Sequence, residues 1–225
     1  MNLKQQAAAR ALDYVRSGTA LGLGTGATTT YFVEMLGEKL QTSVLQDITG
    51  VPTSEGTAAL ARKLGIPLTT ISENPDLDLA VDGADEVDPS LNLIKGLGRA
   101  ALREKIVEIH ARRLVIIVDD TKLVQRLGRG PMPVEIARFG AEVHVAWLNT
   151  LGCRAELWLE TDGSPIITDN GNYLVRCWFE NGISDAYELA QTLSNRPGVI
   201  EHGLFLDMAH EVIVAGSDGI SVLTR

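Results

Sequence analysis

The segment Leu114-Val115-Ile116-Ile117-Val118 is a near-continuous β-branched run, and no other stretch constrains the fold as strongly. A strand this apolar is covered on both faces, as strands of parallel sheets are. Strand and helix patterns alternate through the flanking sequence. Leu3, Ala7, Ala8, Ala11, Leu12 and Val15 recur at helical spacing up to a stop at Ser17-Gly18, and Ala20–Leu23 follows as a short buried strand. Tyr31, Phe32, Met35, Leu36 and Leu40 give the next helix its apolar face. Ser43–Ile48 reads as a strand, Ser54–Leu64 as a helix, and Leu77–Val81 as a strand ending at Asp82. Ala100–Ala111 reads as a helix with Leu102, Ile106 and Ile109 on its apolar face. Alternation with short connections predicts an α/β fold around a doubly wound, mostly parallel sheet.

The texture changes after Gly128-Arg129-Gly130-Pro131. Val134–Phe139 suggests a short helix and Ala141–Ala146 a strand. Leu151–Leu159 and Tyr173–Phe179 read as strands flanking the turn-rich Thr168–Asn172, followed by a helix over Ser184–Leu193 and a strand over Pro197–Ile200. This order suits a small inserted α+β domain at 130–205, with 1–129 plus 206–225 forming the main domain. Glu211–Ala215 and Ile220–Leu223 would return the chain to the main sheet.

The formal net charge of −9 argues against a nucleic-acid or anionic-membrane binder, which needs clustered Lys and Arg. It leaves room for a phosphorylated small ligand held by a few local cations and backbone amides. No apolar run reaches the roughly 18 residues of a membrane span. The N-terminus lacks a signal-peptide layout, so a cytoplasmic location is expected. The two cysteines, Cys153 and Cys177, read as buried free thiols. The four histidines show no pair at metal-ligand spacing, and Trp147, Trp158 and Trp178 read as core residues.

Ligands of doubly wound sheets sit at the carboxyl ends of strands. Three motifs fall there. Gly24-Thr25-Gly26-Ala27-Thr28-Thr29 opens a helix directly after a strand, where free amides attract an anion and the threonines add hydroxyls. A dinucleotide site is the competing reading, with Asp47 as its acidic residue, but the third glycine is displaced. Asp82-Gly83-Ala84-Asp85-Glu86, with Asp88 beyond, is either a solvated acidic loop or a set of carboxylates placed for general acid–base work. It lacks the ligand spacing of a calcium loop. Lys95 precedes the turn Gly96-Leu97-Gly98-Arg99, and Glu104 follows on the next helix between Arg103 and Lys105. Asp119-Asp120-Thr121-Lys122 places Lys122 at a third strand end.

These blocks, together with Pro133-Val134-Glu135, Thr168–Asn172, Pro197-Gly198-Val199 and Gly203-Leu204-Phe205, resemble those of type A ribose-5-phosphate isomerases over nearly the whole chain. The resemblance implies a Rossmann-like fold, no cofactor and no metal, and a homodimer or homotetramer. It implies reversible conversion of ribose 5-phosphate to ribulose 5-phosphate in the non-oxidative pentose phosphate pathway. By the same resemblance Glu104 is the general base that moves a proton between C2 and C1 through a cis-enediolate, while Asp82, Asp85 and Lys95 assist ring opening and stabilise the oxyanion. Substrate would be held by Thr25, Gly26, Ala27, Thr28, Asp82, Gly83, Ala84, Asp85, Lys95, Gly96, Leu97, Gly98 and Lys122. Two departures stand out. Ala27 replaces a serine of the family loop, and Leu97 and Arg99 interrupt the family's glycine turn, where positive φ costs a side-chain-bearing residue more. Two other readings accompany this one: a related sugar-phosphate deaminase or lactonase, and a diverged sugar-phosphate sensor.

Overall fold

The computed structural model describes residues 1–225. In chain order its elements are α1 (Leu3–Ala11), β1 (Ala20–Leu23), α2 (Ala27–Gln41), β2 (Thr49–Pro52), α3 (Glu55–Lys63), β3 (Leu79–Asp82), β4 (Glu86–Val87), β5 (Leu93–Ile94), α4 (Ala101–Glu108) and β6 (Leu114–Asp119). They continue as β7 (Met132–Ile136), α5 (Ala141–Leu148), β8 (Arg154–Leu157), β9 (Tyr173–Trp178), α6 (Ala186–Ser194), β10 (Val199–His202), β11 (Leu204–Phe205), β12 (Glu211–Gly216) and β13 (Gly219–Thr224). The chain divides into two compact units. One comprises Met1–Ala84, Arg103–Lys122 and Asp207–Arg225; the other comprises Asp85–Leu102 and Leu123–Leu206.

The first unit is a Rossmann-like layer built on a six-stranded sheet of order β13-β12-β6-β3-β1-β2. Every pairing is parallel except β12 with β13, which form an antiparallel hairpin at one edge. All six residues of β6 are buried, as its β-branched run requires. β1 shows how the two faces are filled. Leu21 and Leu23 pack with Ala7, Ala8 and Ala11 of α1 and Phe32, Val33 and Leu36 of α2. Ala20 faces the other way, in a cluster with Val51 and Val107 of α4. Gly22 makes that packing possible, since a Cβ there would lie 2.8 Å from Val107 Cγ1 and 2.9 Å from Ala80 Cβ. The chain runs from β1 to β2 on one side and then crosses back to β3 on the other. The carboxyl ends of β1 and β3 therefore flank the switch point at which such sheets bind ligands.

The second unit holds an antiparallel sheet of order β10-β7-β9-β8 and a three-stranded sheet of order β11-β5-β4. Val134, Ile136, Val175, Cys177, Leu148 and Leu193 join β7, β9, α5 and α6 in one core. Buried Glu135 pins the turn between β8 and β9: its Oε1 accepts from Thr168 Oγ1 at 2.9 Å, Asn170 Nδ2 at 3.1 Å and Asn172 Nδ2 at 2.8 Å.

Several expectations need correction. Ser43–Ile48 is a turn rather than a strand, because Ser43 and Asp47 both take positive φ; the strand begins at Thr49. The short helix and strand expected over Val134–Ala146 are exchanged. Met132–Ile136 is a strand, Gly140 caps a helix with φ 69°, and that helix contains Val143 and Val145. Cys153 is half-buried, and only Cys177 is fully buried. The three tryptophans lie partly exposed under arginines, with Arg196 over Trp147, Arg176 over Trp158 and Arg154 over Trp178. Finally, Ile106 of α4 and Ile109, in the turn just after it, point outward, at 39% and 63% exposure.

Candidate active site

β1 ends at Leu23, and the next residue approaches Asp82 so closely that only glycine fits. A Cβ on Gly24 would lie 2.1 Å from Asp82 Cγ. The loop then wraps the carboxylate. Asp82 Oδ1 accepts from Thr25 N at 3.0 Å, Gly83 N at 2.6 Å and Thr29 Oγ1 at 3.2 Å, in a setting where Asp82 is 1% exposed. Three donors thus converge on the one oxygen Oδ1 and fix the orientation of the carboxylate. Gly26 takes φ +136°, a conformation unsuited to a side chain, and hands over to Ala27 at the start of α2. Gly26 and Ala27 are exposed and Thr28 is partly so, which presents the first amides of α2 to solvent. Ala27 removes a hydroxyl that serine would supply but leaves those amides in place. The Thr25 side chain turns inward, to the hydroxyls of Thr53 at 2.7 Å and Ser54 at 2.8 Å. A cavity of about 200 Å³ lies here, lined by Gly24, Thr25, Gly26, Ser54 and Thr57 among others.

α4 supplies the second group. Its inward face carries Glu104, Val107 and Glu108, each less than 5% exposed. Glu104 and Glu108 are one helical turn apart, and carboxylate oxygens of Asp82, Glu104 and Glu108 all lie within 4.8 Å of one another. Sequence reading passed over Glu108, although its i, i+4 relation to Glu104 was the available signal. Arg103, on the outer side, reaches Glu55 Oε1 at 2.8 Å and so links α4 to the start of α3. That hydrogen bond and the guanidinium charge hold the exposed Glu55 carboxyl below its ordinary value. At the end of β6, Asp119 Oδ1 accepts from Thr121 N at 3.1 Å and caps the short 3-10 turn that ends at half-buried Lys122.

The second unit holds the other expected residues. Asp85 N donates to Ile94 O at 2.8 Å, and Asp85 Oδ2 accepts from Leu97 N at 2.9 Å. Lys95 is 2% exposed, with its ammonium 5.3 Å from the centroid of the Phe205 ring. The acidic loop divides by role. The buried Glu86 carboxylate accepts from Gly128 N at 2.7 Å and Gly130 N at 2.5 Å, and Asp88 Oδ1 accepts from Ser90 N and Asn92 N, so both serve the local backbone.

The two departures in the glycine turn differ in what they ask of the backbone. Positive φ falls on Gly96, at 102°, and on Arg99, at 69°, while Leu97 avoids it. Arg99 is held there by Glu160 at 2.6 Å and by the Trp158 ring at 5.4 Å. The pair is exposed and contributes little alone, whereas the left-handed backbone costs a side chain about 1 kcal/mol. Arg99→Gly is therefore expected to be more stable than Arg99→Ala by about 1 kcal/mol, since both lose the contacts and only glycine relieves the backbone. Urea denaturation of the two variants checks this. Equal midpoints at equal slope would contradict it.

Comparison with known proteins agrees with this fold. The family model described as ribose 5-phosphate isomerase A (phosphoriboisomerase A) matches residues 49–219. Ribose-5-phosphate isomerase A of Roseiflexus castenholzii is 51% identical over 218 residues, 96% of this chain and 93% of that protein. The probable ribose-5-phosphate isomerase 3, chloroplastic, of Arabidopsis thaliana is 44% identical over 230 residues, 100% of this chain and 83% of that protein. Among solved structures, a D-ribose-5-phosphate isomerase in complex with phospho-erythronic acid matches with a TM-score of 0.96 at 41% identity, covering 100% of both chains. Ribose 5-phosphate isomerase A of Methanocaldococcus jannaschii matches with a TM-score of 0.94 at 38% identity, over 99% of this chain and 98% of that one.

Proposed function

The chain belongs to the ribose 5-phosphate isomerase A family, and from that premise we propose how its own residues carry the reaction. It is an aldose–ketose isomerase that interconverts D-ribose 5-phosphate and D-ribulose 5-phosphate, a step of the non-oxidative pentose phosphate pathway. Glu104 is the general base. On the open-chain aldose it takes the proton from C2 as the electron pair moves toward the C1 carbonyl oxygen, giving a cis-enediolate. The same carboxyl returns the proton to C1, and transfer of the O2 hydroxyl proton to O1 completes the ketose. The observation that carries this reading is the inward face of α4, where Glu104 is buried within 4.8 Å of the Asp82 carboxylate while Ile106 faces outward.

Asp82 and Asp85 exchange hydroxyl protons during ring opening, and the Lys95 ammonium stabilises the developing oxyanion. Lys122 and the loop formed by Thr25, Gly26, Ala27 and Thr28 hold substrate, the phosphate meeting the first amides of α2. Gly83, Ala84, Gly96, Leu97 and Gly98 contribute backbone to the same task. The phospho-erythronic acid bound in a related structure supports a sugar phosphate as the ligand.

Proton transfer by side chains alone has a direct test, because Asp82, Glu104 and Glu108 are also spaced as ligands of a divalent cation would be. Purified protein in excess EDTA is expected to convert ribose 5-phosphate to ribulose 5-phosphate at its full rate. Activity lost in EDTA and restored by Mg²⁺ would overturn the metal-free reading. Substrate binding without turnover by folded protein would favour a sensor instead.

We infer a homodimer or homotetramer, supported by apolar residues left outside in the second unit, with Phe139 at 94% and Val143 at 61% exposure. No helix is long and apolar enough to cross a membrane. The two free thiols support the cytoplasm as its compartment.

A further inference from the structure

Four hydroxyls join the substrate loop to the start of α3, and their protons can be counted. Thr57 Oγ1 donates to Gly24 O at 2.9 Å, which uses its one proton. Ser54 Oγ accepts from Thr57 N at 3.0 Å, as the N-cap of α3, and donates to Thr57 Oγ1 at 3.1 Å. Thr25 Oγ1 donates to Ser54 Oγ at 2.8 Å. Thr25 Oγ1 also lies 3.2 Å from Thr57 Oγ1, whose proton is already spent on Gly24 O, and its 2.7 Å contact with Thr53 Oγ1 is then one in which Thr53 donates, because each hydroxyl has a single proton. The result is a one-way chain, Thr53 to Thr25 to Ser54 to Thr57 to the Gly24 carbonyl. It leaves the loop at Thr25 and returns to it at Gly24.

We propose that Thr53, Ser54 and Thr57 are positioning residues for catalysis, acting on Asp82 through Thr25. Both donors of Thr25 are committed inside the protein, the hydroxyl to Ser54 and the amide to Asp82 Oδ1 at 3.0 Å. Thr25 therefore orients the carboxylate and donates no hydrogen bond to substrate. Ser54 and Thr57 are 8% exposed and Thr53 1%, while Thr25, partly exposed, links them to the loop. Thr53 is tied to β1 as well, its amide donating to Leu23 O at 2.9 Å. The start of α3 thereby fixes the register of the β1 loop against the end of β3. This inference rests on the assignment of Asp82 to the active site.

The test measures kcat and KM for ribose 5-phosphate, with melting temperatures, in Thr25→Val, Thr57→Val, the double variant, Thr57→Ser and Asp82→Asn. Valine keeps the shape and removes the hydroxyl. Each single valine variant is expected to lower kcat about 10-fold with KM little changed, since loss of precise placement alone reaches such factors. The double variant is expected to lose no more than either single one, because each breaks the same chain. Thr57→Ser is expected to recover most of the loss. Folded valine variants with parental kcat, beside an impaired Asp82→Asn, would overturn the inference and leave the Asp82 assignment standing. Thr25→Val raising KM alone would also overturn it, by showing the hydroxyl on the substrate. Losses that multiply in the double variant would do the same. A fully active Asp82→Asn would overturn the assignment and the inference together.

Discussion

Glu104→Gln is expected to lower kcat on ribose 5-phosphate by about 1,000-fold, within the range usual for removing a positioned general base. The amide has the size of the carboxylate and cannot accept the C2 proton. Folding should survive the change. Glutamine has the shape of the buried carboxylate and keeps its packing on the inward face of α4. The expected signature is thus a near-dead enzyme that is still folded. KM should shift little, because the base acts on the transition state more than on ground-state binding. Exchange of the substrate C2 hydrogen with deuterium from solvent should fall in step with kcat. A variant within 3-fold of the parent in both would remove Glu104 from the role of base.

Gly24→Ala is expected to cost more than 100-fold in kcat/KM, from the addition of one methyl group. The added Cβ would sit 2.1 Å from Asp82 Cγ and 2.2 Å from its Oδ1, distances no side-chain adjustment at residue 24 can relieve. Either the carboxylate swings away or the loop lifts, and each breaks the Thr25 N to Asp82 Oδ1 hydrogen bond. Overpacking of this kind also destabilises, by about 1–3 kcal/mol. Gly22→Ala separates the two effects. Its Cβ would meet Val107 and Ala80 on the face of β1 away from α1 and α2, so it should lower stability comparably while the folded enzyme keeps most of its turnover. Equal kinetic damage in both variants would show that the loss follows general strain and not the Asp82 contact.

The parallel sheet was legible because β6 is apolar on both faces and such a run has few other places in a fold. The second unit was less so. β7 lies between β10 and β9 and contains Pro133, a residue that argues against a central strand. The register resolves the conflict, since β10 pairs with Val134–Ile136 and Pro133 meets that side only as an acceptor, its carbonyl taking the Gly203 amide at 2.8 Å. Val143 and Val145 suggested a strand in what tertiary packing makes a helix. At the site, Asp82 could be found from its place at a strand end. The hydroxyl chain could not, because it joins residues 24 and 25 to residues 53–57 through contacts that exist only once β1 and α3 are in place.

α4 misled the hydrophobic pattern most, and for a physical reason. Its inward face carries the buried Glu104 and Glu108, while Ile106 and, just past its end, Ile109 lie exposed. A helix arranged this way draws little stabilisation from docking, and Val107 is its main apolar contact with the sheet. Native structures open in parts, with segments of few buried apolar contacts opening first. The backbone amides of α4 are therefore expected to exchange with solvent sooner than those of β6. The helix that carries the proposed base gives up apolar burial on its inward face to keep carboxyls inside.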